Sequence, residues 1–194
     1  MKKNKWIVQF MTIMVFGIFL SSCAIYHHYG PYYGKVVDAE TKQPLEGAAV
    51  LAVYYTQSYG PAGPISHYLD AQETVTDKNG EFKIPSLNSF AFRPLQSFEP
   101  YTWFTIFKPS YGCYPDHKKA KPMFLPNGSL PASQFVVVEL PTLKTIEDRK
   151  KNLFDCGVNY DIPYKTQKNY FDLRNTEAIQ IGKEPWPIPE VIKK

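Results

Sequence analysis

Hydrophobic and polar positions divide the chain into three regimes. Residues 6–20 run almost without polarity between a lysine-bearing start and the small residues Ser21 and Ser22. From residue 33 to residue 140, short apolar runs alternate with clusters of turn-forming residues, the punctuation of β-structure. Beyond Pro141 the apolar positions recur at three- and four-residue intervals, the helical period.

The middle regime predicts strands over 33–38, 48–55, 73–76, 81–84, 103–107 and 134–140. Residues 48–55 are too apolar for a face open to water. Residues 81–84 alternate polar and apolar, as a half-buried strand should. They follow the turn Asp77-Lys78-Asn79-Gly80, whose glycine can take a positive φ. Three stretches show no clear period: 57–70, with two glycines and two prolines, 88–100, which is rich in Phe and carries Arg93, and 110–133. Long loops of this sort in compact domains are usually functional or mobile. In the tail, Leu143, Ile146, Lys150 and Leu153 fall near one face of a helix over 142–154, which Thr142 or Thr145 can cap. A second, weaker helix fits between Thr166 and Ile179. Pro185, Pro187 and Pro189 exclude regular helix beyond it.

The first apolar run, about 15 residues, is short of the roughly 20 needed to span a bilayer core. It ends in small residues rather than a basic cluster, so residues 1–22 read as a secretory signal that is removed. Leu20-Ser21-Ser22-Cys23 then resembles the bacterial lipobox, in which the Cys thiol is lipidated and becomes the mature N-terminus. The resemblance implies acyl chains, palmitate among them, on Cys23, each buried methylene contributing roughly 0.8 kcal/mol to membrane attachment. It places the protein in the bacterial cell envelope. In a Gram-negative cell, Ala24 rather than Asp after the cysteine resembles the default outer-membrane sorting signal.

Charge changes the picture once the signal is set aside. The whole chain has 22 basic and 18 acidic residues. Lys2, Lys3 and Lys5 leave with the signal, so 19 basic residues face 18 acidic ones. Nucleic acid is therefore not an expected partner, since phosphate binding needs a clustered positive surface, and Lys118, Lys119 and Lys121 read as a solvated loop. The 194-residue chain less its first 22 leaves 172, enough for one domain with a tail. Its 17 prolines and 15% aromatics suit many turns and a well-filled β core. With Cys23 assigned to the lipid, Cys113 and Cys156 remain as an even pair in an exported chain. They can form a disulfide between main domain and tail, or stay as two buried thiols.

The residues Gly34-Lys35-Val36-Val37-Asp38, Thr41, Pro44-Leu45-Glu46-Gly47-Ala48-Ala49-Val50 and Thr76 through Ile84 resemble the carboxypeptidase regulatory-like domain family. Lys108-Pro109-Ser110-Tyr111 is similar to that family's later Pro-Gly-Tyr element, with Ser110 in place of the glycine. The resemblance implies a mostly β fold, a transthyretin-like or immunoglobulin-like sandwich of about seven strands over 33–141. Residues 23–32 would be a tether and 142–194 a partly helical extension. Such domains are accessory modules, and a fold does not fix an activity.

Chemistry is sparse. There is no Gly-x-Ser-x-Gly elbow, His-Glu-x-x-His motif, phosphate loop or dinucleotide fingerprint, and nothing calls for a cofactor. His27 and His28 point apart on an extended chain and have no acidic or Cys partner nearby, so no metal site is expected. Asp77 opens like a calcium loop, but Asn88 stands where the bidentate Glu should be, and a hairpin turn is the better reading. No catalytic residue is assigned; Cys113 with His117 is the nearest approach to a nucleophile and base. Aromatics around the aperiodic stretches are the stronger lead. Tyr54, Tyr55, Tyr59 and Tyr68 flank one stretch, and Tyr111, Tyr114 and Phe124 lie in another, with Tyr59, Tyr68, Tyr111 and Tyr114 as candidate ligand contacts. The leading expectation is a non-enzymatic envelope lipoprotein that binds or assembles with envelope proteins. The alternatives are a carbohydrate-binding accessory lipoprotein that contacts glycan and, third, a hydrolase.

Overall fold

The computed structural model describes residues 5–6, 9–14, 26–60, 63–90, 99–121, 128–157 and 162–188. Cys23, the expected lipidation position, lies outside them, as do most of the expected signal and Phe124. No helix among the described residues is long and apolar enough to cross a membrane.

The chain is mostly β, with a helical tail. Its described strands are β1 (Tyr26–Tyr29), β2 (Tyr32–Asp38), β3 (Ala49–Gly60), β4 (Gly63–Val75), β5 (Glu81–Ile84), β6 (Leu87–Phe90), β7 (Glu99–Phe107) and β8 (Phe135–Leu140), followed by helices α1 (Ile146–Asp155) and α2 (Lys168–Gln180). They form two three-stranded sheets, β5-β2-β8 and β4-β3-β7, and a two-stranded ribbon, β1-β6. All pairings are antiparallel except β2 with β8.

The two larger sheets enclose one apolar cluster. Val36, Phe82 and Val138 enter it from one sheet, and Val50, Tyr54 and Phe104 from the other. The Asp77 turn closes as the sequence suggests, with the Asp77 carboxylate accepting from the backbone N–H groups of Asn79 and Glu81 at 2.9 and 2.8 Å. Gly80 takes φ +74°, and a Cβ there would stand 2.5 Å from the Val36 carbonyl oxygen, so only glycine fits. Asp38, ending β2, accepts from Glu40 N, Thr41 N and Thr142 Oγ1 at 2.7, 2.8 and 2.9 Å. Burial pushes its carboxyl up, but these bonds outweigh burial and hold it below the usual carboxylate value.

Three expectations are corrected. Residues 57–70 are not a loop: β3 and β4 continue in register to Gly60 and Gly63, making one long hairpin with a bulge at Tyr54/Tyr55. Pro64 is tolerated because β4 is an edge strand. The stretches taken as tether and as aperiodic 88–100 contribute β1 and β6, which pair with each other from Tyr26↔Phe90 to Tyr29↔Leu87. Neither strand alternates in sequence: Tyr26-His27-His28-Tyr29 and Leu87-Asn88-Ser89-Phe90 each carry a polar pair in the middle. In the tail, α1 starts at Ile146 with Thr145 as its cap, its hydroxyl accepting from Asp148 N at 3.0 Å. Its buried residues are Asn152 and Leu153, while Ile146 and Lys150 are exposed.

Candidate functional site

Residues of β3 alternate between the two faces of its sheet, and both faces are buried along its first half. Val50, Ala52 and Tyr54 point into the sandwich, and Ala49, Leu51 and Val53 point outward beneath the tail. That is why residues 48–55 are apolar at nearly every position. The cover consists of Leu153, Cys156, Ile162, Tyr170, Ala178 and Ile181 packed on Ala49, Leu51, Val53, Ala71 and Phe107.

A covalent bond and several polar contacts hold the cover down. Cys113 and Cys156 form a disulfide across 43 residues, with Cα atoms 6.4 Å apart. Glu73, on the outer face of β4, accepts from the backbone N–H groups of Asn169 and Tyr170 at 2.8 and 3.1 Å, capping the start of α2 from another element. Glu177 is fully buried and paired with Arg149, which donates to its two oxygens at 2.7 and 2.6 Å, while Ser110 N donates at 3.0 Å. Tyr170 donates to the Cys156 carbonyl, and burial raises its hydroxyl to about 12.

The outward row does not stop where the cover does. Tyr55 is flanked across the strands by Tyr68 and Tyr101. Tyr55 and Tyr101 stack nearly parallel with ring centres 5.1 Å apart, and Tyr68 meets Tyr55 edge-on at 6.3 Å. The next row is polar, with Gln57 between Ser66 and Glu99. Tyr101 donates to Ser66 Oγ at 3.0 Å, and Tyr59, farther out, donates to Glu99 Oε2 at 3.2 Å. That bond, then the charge of Glu99, raises the Tyr59 hydroxyl; burial, then Asp70, raises that of Tyr68. Where the aromatic row meets the cover there is a groove of about 300 Å³, lined among others by Tyr55, Tyr101, Trp103, Ile162 and Tyr170, with Asp116 at its rim.

Of the four candidate tyrosines, two share the long hairpin at separate rungs, Tyr68 opposite Tyr55 and Tyr59 opposite Pro64. Tyr114 is 2% exposed: its backbone adds a rung beside Ile106, its ring joins the sandwich core, and its hydroxyl donates to Ser129 O. Tyr111 packs partly buried against that same core and bridges to Thr142. Neither joins the aromatic row. Sequence reasoning passed over Tyr101 and Trp103, although the alternation of Tyr101, Trp103 and Thr105 with Thr102, Phe104 and Ile106 marks them as outward.

A second cleft, of about 210 Å³, lies beside the disulfide and is lined by Asp116, His117, Lys118, Asp148, Lys151 and Asp155 with Asn152. Burial, then the nearby Asp155, raises the Asp116 carboxyl; burial, then Lys119 and Lys118, lowers the His117 imidazole. The sulfurs of Cys113 and Cys156 and an Asp116 oxygen lie within 4.8 Å of one another. With the sulfurs bonded to each other, neither is available as a thiolate ligand or nucleophile. His28 Nδ1 pairs with Asn88 Oδ1 at 2.6 Å on the outer side of β1, and His27 is buried on the inner side.

We find no match to the chain among protein-family models, curated proteins or solved structures.

Proposed function

We propose that this protein is a lipoprotein of the bacterial cell envelope, anchored through Cys23, whose carboxypeptidase regulatory-like sandwich is a non-enzymatic binding or assembly module. In a Gram-negative cell its address is the outer membrane. The observation that carries this reading is the aromatic row Tyr68, Tyr55 and Tyr101. It lies at the edge of the cover, with Tyr55 and Tyr68 still packed against the covered cluster, and is followed by a polar row, the apolar-centre and polar-rim pattern of an interface.

Supporting a polypeptide partner over a glycan is the ring geometry. A sugar stacks on a free aromatic face, whereas Tyr55 and Tyr101 turn faces toward each other. The use of Cys113 in the disulfide supports a non-enzymatic reading over a hydrolase built on Cys113 and His117.

The test is a photo-crosslinking residue at position 101 of the full chain in living cells, with one at exposed Lys150 as control. A discrete adduct with one envelope protein from position 101, lost on Tyr55→Ser and absent from position 150, is expected. Quenching of tyrosine or tryptophan fluorescence by glycan, without a protein adduct, would replace this reading with a carbohydrate-binding one.

A further inference from the structure

The N-terminal strand and the closed end of the long hairpin point the same way. Tyr29 is fixed beside the Tyr54–Tyr55 step: its ring meets Tyr54 edge-on at 5.2 Å, and its hydroxyl donates to the Tyr55 carbonyl at 3.0 Å. Tyr32, three residues later, bonds Thr102 Oγ1 at 2.7 Å and packs on Phe104 at 4.8 Å. Those residues stand opposite Tyr54 and Ala52. The chain therefore descends the hairpin as it runs forward, and Tyr26 lies on the tip side of Tyr29, by roughly 10 Å at strand rise.

Exposed apolar side chains gather at this end. Tyr26 and Phe90 form an edge-on pair at 5.3 Å and are 53% and 74% exposed. On the hairpin, Tyr59 and Ile65 are 63% and 51% exposed on neighbouring rungs. The outer row of the ribbon, Tyr26, His28, Asn88 and Phe90, contains no carboxylate and no lysine.

Cys23 precedes Tyr26 by three residues, which span at most about 11 Å when fully extended. We propose that this end of the domain rests on the phospholipid surface that holds the Cys23 acyl chains, with Tyr26 and Phe90, flanked by Tyr59 and Ile65, at headgroup level. The inference depends on the lipid-anchor reading above. Tyrosine rings favour that interfacial layer, and a tether this short keeps the first strand close to the membrane surface. The aromatic row Tyr68, Tyr55 and Tyr101 then lies one polar row back from the tip, facing along the membrane.

The test uses the full chain, processed by a bacterial host and reconstituted in phosphatidylethanolamine and phosphatidylglycerol vesicles containing brominated lipids. Phe90→Trp and Tyr59→Trp each add an indole to the constant background of Trp103 and Trp186, and Phe154→Trp, on exposed α1, is the control. The expected result is blue-shifted emission, quenched by bromine, at positions 90 and 59 and unquenched emission at 154. Unquenched emission at both 90 and 59 in protein whose mass shows an acylated Cys23 overturns the inference, as does equal quenching at 154. So does shielding of position 90 that requires an envelope protein in the vesicles. A mass without acyl chains on Cys23 instead overturns the anchor reading, and this inference with it.

Discussion

Along β3 the outer positions Ala49, Leu51 and Val53 lie beneath the helical tail, Tyr55 packs at its edge, and Gln57 and Tyr59 continue the same row beyond it. Strand and sheet are shared and the inward residues are buried in both halves, Val50, Ala52 and Tyr54 in one and Thr56 and Ser58 in the other, while the outward residues differ in what they meet. Beneath the cover they are small or aliphatic and their energy comes from burial, at about 25 cal/mol per Å² of apolar surface. At its edge and beyond they are aromatic or polar: Tyr55 and Tyr68 still pack against the covered cluster, while Tyr55 stacks on Tyr101 and Tyr59 bonds Glu99. A buried face serves stability, while an aromatic face left half-exposed marks a surface kept for contact.

Removing the cover's covalent tie has the largest expected effect on that contrast. Cys113→Ala together with Cys156→Ala opens a 43-residue loop, worth about 4 kcal/mol in the loop-entropy account. Urea unfolding should show this loss. Amide exchange should accelerate in α1 and α2 and over Ala49 to Val53 while the far half of the hairpin is unchanged. Next is Arg149→Ala, which strands the carboxylate of the fully buried Glu177 and should cost about 3 kcal/mol by the same measurement. On the uncovered half, Tyr101→Ser should change stability by less than about 1 kcal/mol, as for other surface substitutions, while removing the adduct formed from a photo-crosslinking residue placed at position 68.

The smallest effect is pH-dependent. Burial and Asp155 raise the Asp116 carboxyl, so the folded chain holds this proton more tightly than the unfolded chain does. Its contribution to stability therefore declines as pH rises from the ordinary carboxylate value through the raised one. Asp116→Asn should match wild type in acid and be the more stable of the two above that window, in melting curves recorded across the acidic range.

Both-face burial was legible in the sequence, because residues 48–55 are too apolar for a wetted strand, and so was the tail's helical period. The Asp77 turn, the Thr145 cap and the availability of a cysteine pair rest on local chemistry and were equally legible. The buried face of α1 was not. Asn152 lies inward because its side chain accepts from Cys113 N and donates to Tyr111 O, about forty residues away in sequence. No local hydropathy pattern encodes that. The hairpin was hidden by the glycines and prolines near its tip and by the exposed edge of β4, which relaxes the demand for alternation. Tyr59 and Tyr68 stand out in the sequence only by their place in that stretch. Tyr101 was missed because its partners come from β3, across the sheet.

The proposed anchoring through Cys23 is tested most directly by comparing wild type with Cys23→Ala after expression in a bacterial host, by intact mass and membrane fractionation. It predicts a mature wild-type chain that begins at an acylated Cys23 and sediments with membranes, and a variant that does neither. An unacylated wild-type chain in the cytosolic fraction would contradict it.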